Sequence, residues 1–190
     1  MKSKSLDPRH LDIETFARAA ASLTGQWAVA ALPRLAQATL PEGGEKKAER
    51  VVAWSAKGRT VQRAGAQPQI WMDLHAETAV ALQCQRCLRP MEVPLDVERS
   101  LRFVPDEQQA AELDADSEED VLAMTRNLDL LELVEDELIL ELPIVPRHEL
   151  CPEVLAVPPS VAELGEGETA DTSKPNPFAA LAALKRGAKS

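Results

Sequence analysis

The sequence predicts an α+β fold: a small antiparallel β-sheet with flanking helices and a mobile C-terminal tail that ends in a short helix. Three observations carry this. Residues 50–104 alternate apolar and polar side chains, as half-buried strands do. The segments 12–24 and 128–141 place apolar side chains at helical spacing. Beyond residue 155 the chain is punctuated by Pro158-Pro159, Gly165, Gly167 and Pro175, the composition of a linker. With 190 residues and 45% hydrophobic side chains, the chain predicts one compact domain over 1–155 and an appendage over 156–190.

Taken in order, the first helix starts from Asp12, where Ile13, Phe16, Ala17 and Ala20 recur at one face and Gly25 offers a C-terminal stop. Gln26–Leu35 reads as an extended or mixed segment ending near Pro33, and Pro41–Lys47 as a surface loop. Val51, Val52 and Trp54 form a short strand closed by Lys57-Gly58. A second strand sets Ile70, Met72, Leu74 and Ala76 on one parity. The third sets Met91, Val93, Leu95 and Val97 on one face and continues through Leu101 and Phe103. Cys84–Pro90 is then the turn between the second and third of them. Asp106–Asp120 reads as a solvated acidic loop.

In the 128–141 segment Leu131, Val134 and Leu138 share a helical face, and Asp129 with Glu132 resembles a capping box. Leu138–Leu142 also suits a strand before Pro143. At the far end Asn176, Pro177 and the pair Lys185-Arg186 give a complete helix signature around Phe178, Leu181 and Leu184.

The charge is unevenly distributed. The net −10 divides into +4 over 1–104, −13 over 105–142 and −1 over 143–190. Phosphate backbones repel so acidic a chain, and its 3% aromatic content without Tyr provides no stacking platform for bases. Two interaction modes survive. A basic partner would meet the acidic middle, or RNA would meet a local positive face built from Arg86, Arg89, Arg99 and Arg102.

Apolar runs fall short of the ~18–20 residues of a membrane-spanning helix, and the opening MKSKSLDPRH has no signal-type apolar core, so a cytoplasmic location is expected. No Gly-rich phosphate loop, GxSxG or HExxH is present, and neither His10 nor His75 has an evident acid-base partner.

The sharpest chemical feature is Cys84-x-x-Cys87, two thiols on one turn, followed far downstream by His148-x-x-Cys151. Together they make a Cys3His set, one of the closed shells that hold structural zinc. Three readings compete: structural Zn2+, unligated small residues, and a thiol-dependent redox pair. The redox reading lacks the thioredoxin-like βαβ pattern, because strands flank the pair.

With these blocks in view, the chain resembles the YceD family, the large ribosomal RNA subunit accumulation proteins. The resemblance rests on LQCQRCLRPMEVPL at Leu82–Leu95, LDLLELVEDELILELPIVPRHELC at Leu128–Cys151 and KPNPFAALAALK at Lys174–Lys185, in that order. It implies a non-enzymatic ribosome-biogenesis factor for synthesis, processing or accumulation of large-subunit (23S) rRNA, with no catalytic residues. The partner expected is a ribosomal protein, an assembly factor or the rRNA itself. Combined with the charge map, this points to Asp129, Glu132, Glu135 and Asp136, with Phe178, Leu181 and Leu184, as partner contacts. The rival class is a redox enzyme acting through the CxxC thiols.

Overall fold

The computed structural model describes residues 6–41, 50–62, 65, 67–115, 117 and 119–152. The chain divides into a compact unit, Met1–Cys151, and the segment Pro152–Ser190. The expected C-terminal helix with Phe178, Leu181 and Leu184 lies outside the described residues, as does most of the Pro41–Lys47 loop.

The compact unit is α+β. A five-stranded sheet runs in the order β1 (Ser22–Ala28), β2 (Val51–Val61), β3 (Gln69–Gln83), β4 (Pro90–Val104) and β5 (Asp120–Ala123). Helices α1 (Ile13–Arg18), α2 (Pro33–Ala38), α3 (Glu107–Asp114) and α4 (Leu130–Leu140) flank it. The first four strands pair antiparallel, with Met72 opposite Gly58 on one side and Leu101 on the other. Alternation does the sorting: Ile70, Met72, Leu74 and Ala76 are buried, and Leu95, Val97, Leu101 and Phe103 continue the same face on β4. Ile13, Phe16, Leu35, Leu130, Val134 and Leu138 from the helices complete this core.

Several sequence expectations give way to tertiary constraints. The first helix is shorter than 12–24. Asp12 caps it by accepting from Thr15 N, and it ends at Arg18, where Ala20 turns left-handed at φ 45°. Gly25 is no stop but the middle of β1, because a Cβ there would lie 2.7 Å from the Trp54 ring, which stacks on Trp27 with centroids 4.4 Å apart. Gly58 likewise does not close a strand. It lies inside β2, where an added Cβ would come within 2.7 Å of the Ala17 backbone, so α1 rests directly on bare main chain. Pro33 opens α2 rather than ending an extended run, following a 3-10 turn over Val29–Ala31.

The acidic stretch is not all loop. Asp106 accepts from Gln109 N and starts α3, whose Ala110 packs with Val104 and Val121. This helix is the crossover that a parallel neighbour requires, and β5 pairs with β4 in parallel, so the sheet is mixed rather than wholly antiparallel. Leu138–Leu140 stays helical, with Glu141 as the C-cap of α4.

Candidate metal centre

Between β3 and β4 the chain must reverse within six residues. Cys84 N donates to the Arg89 carbonyl at 2.9 Å, and Leu88 N donates to the Cys84 carbonyl at 2.8 Å. Leu88 closes the turn in the left-handed region, at φ 58°, a conformation that costs a non-glycine residue about 1 kcal/mol. The result aims both thiols inward, and Cys84 and Cys87 are buried. After α4, Pro143 and Pro146 forbid a continued helix and send the chain back across this turn. There Gln85 N donates to the Pro146 carbonyl at 2.8 Å, and His148 N donates to Cys84 Sγ at 3.4 Å.

One ligand atom from each of Cys84, Cys87, His148 and Cys151 lies within 4.8 Å of all the others. Cys84 Sγ and Cys151 Sγ are 3.9 Å apart, and Cys87 Sγ is 3.4 Å from His148 Nδ1. A tetrahedron with Zn–S bonds of ~2.3 Å and a Zn–N bond of ~2.0 Å has edges of roughly 3.5–3.8 Å. The donor set fits a four-coordinate ion, and its spacing comes within about 1 Å of those edges. Residues more than sixty positions apart in sequence supply it.

The electrostatics are those of an anion site. Burial pushes the Cys84 thiol up, but N–H groups of Cys87, His148 and Arg86 aimed at its sulfur more than offset this and hold it down to about 5. The Cys87 thiol is displaced upward, by burial first and then by its neighbours Cys151 and Cys84. One deprotonated sulfur thus raises the cost of the next until a cation arrives. Above the cage the Arg86 guanidinium donates from Nε to Cys151 Sγ at 3.0 Å. Its Nη2 donates to the carbonyls of His148 at 2.7 Å and Glu149 at 3.1 Å.

The other residues singled out from sequence are placed elsewhere. Arg99 and Arg102 lie on opposite faces of β4: Arg99 pairs with Glu137 at 3.0 Å on the helix side, while Arg102 stands opposite Trp71 in the register. Among the acids of α4, Asp129 is the N-cap and bonds Arg9 Nε at 2.8 Å. Glu135 is buried at 3% exposure, and Asp136 pairs with Arg34. Glu135 accepts from the backbone N–H groups of Arg34, at 2.6 Å, and Leu35, at 3.1 Å, thereby capping α2, which has no side-chain cap of its own. His75 does have a carboxylate neighbour, Asp96 at 3.1 Å across the strands. Sequence reasoning placed Arg86 with the RNA contacts and missed its reach to Cys151. Its position inside the CxxC was the available signal.

No solved structure matches the chain. Among curated proteins, the large ribosomal RNA subunit accumulation protein YceD of Haemophilus influenzae is 43% identical over 109 residues, which cover 56% of this chain and 60% of that protein. The chain thus aligns with less than two thirds of that relative's length. A family model, described as large ribosomal RNA subunit accumulation protein YceD, matches residues 72–185. That stretch begins within β3, contains all four clustered cysteine and histidine residues and takes up more than half of the chain, which therefore belongs to the YceD family.

Proposed function

We propose that this protein is a non-enzymatic, cytoplasmic ribosome-biogenesis factor that promotes synthesis, processing or accumulation of large-subunit rRNA by binding. The single observation behind this is the family match over residues 72–185, together with a relative whose name states large ribosomal RNA subunit accumulation. In this reading Cys84, Cys87, His148 and Cys151 hold one Zn2+ that ties the β3–β4 turn to the segment after α4. The metal does structural work and organises the surface a partner meets.

The partner of this reading is a basic ribosomal protein or assembly factor. It meets the outward side of α4 through Glu132 and Asp136, near Asp129 and Glu135, which hold the helix in place, and through Phe178, Leu181 and Leu184 of the appendage 156–190. The half-exposed carboxylate of Asp136 and the exposed Glu132 support an acidic contact. A direct rRNA contact through Arg86, Arg89, Arg99 and Arg102 is the alternative outcome, and the opposed directions of Arg99 and Arg102 count against a single basic face.

Crosslinking in growing cells, with the full chain and with residues 174–190 removed, tests this reading. A basic ribosomal protein or assembly factor captured by the full chain and weakened by Glu132→Lys with Asp136→Lys is expected. Capture of rRNA alone, lost on charge reversal at the four arginines, overturns the division of labour. Steady turnover of a thiol substrate by the purified chain, abolished by Cys84→Ser with the fold intact, overturns the non-enzymatic reading.

A further inference from the structure

Arg86 provides three of the hydrogen bonds that join the turn to the returning segment among the described residues. Beside the clustered side chains, Gln85 N donates to Pro146 O and His148 N to Cys84 Sγ, and the fork of Arg86 adds its three bonds. The returning segment packs its apolar side chains sparingly, for Ile144 and Leu150 are 95% and 89% exposed. The cluster is also uneven: Cys84 and Cys87 are buried, whereas both residues of the returning segment, His148 and Cys151, stand partly open to solvent. Cys151 is the ligand carried farthest along that segment, and it is the one Arg86 covers.

Arg86 suits this position for two physical reasons. Three thiolates around a divalent ion leave the cage with one negative charge, and a guanidinium lies 3.0 Å from the outermost sulfur. The planar fork also reaches a sulfur and two successive carbonyls at once, which fixes the direction from which Cys151 approaches. A lysine would supply the charge at a single point without that geometry.

We propose that Arg86 is the latch of the metal centre: a positioning residue that holds Cys151 and its segment against the Cys84–Cys87 turn, and so sets how slowly the centre gives up its ion. This rests on the zinc reading above. The metal leaves by way of Cys151, and the guanidinium keeps that ligand in place between encounters with solvent.

The test uses the full-length chain purified with zinc. Ion release into excess chromogenic chelator is timed for the unaltered protein, Arg86→Ala and Arg86→Lys, and each cysteine's alkylation is followed by mass spectrometry. Outer-shell partners typically govern metal affinity by about ten- to a hundredfold, so Arg86→Ala should release zinc faster by that order, with Arg86→Lys in between. Alkylation of Cys151 should accelerate while Cys84 and Cys87 lag behind it. Equal acceleration at all three cysteines marks a general loosening and overturns the latch, as does release within about twofold of the unaltered rate, well below the outer-shell range. If Arg86→Ala does not accept zinc, the Arg86→Lys release rate decides alone by the same criterion. An unaltered chain that binds no zinc overturns the metal reading itself and the latch with it, whereas a loaded chain indifferent to Arg86 overturns the latch alone.

Discussion

The cysteine cluster and helix α4 are both dense in chemically suggestive residues, yet the fold treats them in opposite ways. Cys84, Cys87, His148 and Cys151 come from two distant stretches and meet within 4.8 Å. The carboxylates of α4 are neighbours in sequence, and the fold disperses them. Asp129 caps the helix, Glu135 caps α2, Glu137 pairs with Arg99 and Asp136 with Arg34. Of the six carboxylates from Asp129 to Glu141, the helix thus commits these four to its own attachment. A run of charge in a sequence is thus not a measure of charge available to a partner, whereas four cysteine and histidine side chains from distant stretches are brought into one cluster.

The contrast is broken most forcefully at the cluster. Cys84→Ser removes the most deeply held ligand and should cost more than about 4 kcal/mol, the range associated with loss of a metal site. Urea unfolding of the zinc-loaded chain with and without chelator measures it, and equal midpoints in the two conditions would contradict the assignment.

Next in size is the internal carboxylate. Glu135→Ala strips the α2 N–H groups and Arg34 of a charged acceptor and should cost about 2 to 3 kcal/mol, as charge-assisted hydrogen bonds do. Glu132→Ala, one turn away on the exposed side, should stay within about 0.5 kcal/mol. Similar losses at both positions in thermal melts would erase the distinction between inward and outward acids.

The smallest effect is a pH slope. Burial raises the Glu137 carboxyl above its ordinary 4.5, with Arg99 opposing. A raised folded-state value means that this group's contribution is intact below 4.5 and fades as pH climbs through the folded value. Glu137→Gln should therefore gain on the unaltered protein as pH rises from 4 toward 7, measured as paired urea midpoints. A gain that runs the other way would show that Arg99 outweighs burial.

Legibility followed the range of the forces involved. Helix α4 was readable because Leu131, Val134 and Leu138 mark its inner face and Asp129 its start, all within a few turns. β3 and β4 were readable from parity, and the four side chains that cluster beyond them from their residue types. Strand β1 was not, because Gly25 reads locally as a helix stop, and only the Trp54 ring lying over it explains the glycine. Gly58 misled in the same way, its meaning residing in α1 rather than in β2. The parallel pairing of β5 depends on the α3 crossover, which an acidic composition disguised as loop. Arg86 was legible as a cation but not as a latch, since its partners lie more than sixty residues downstream.

The position of Cys151 also has a temporal consequence. During synthesis the turn bearing Cys84 and Cys87 leaves the ribosome well before its remaining donors, and β4, α3, β5 and α4 must all emerge in between. In the zinc reading, closure therefore waits for Cys151, the last residue of this unit to be made, and until the returning segment follows Cys84 and Cys87 have only each other as donors.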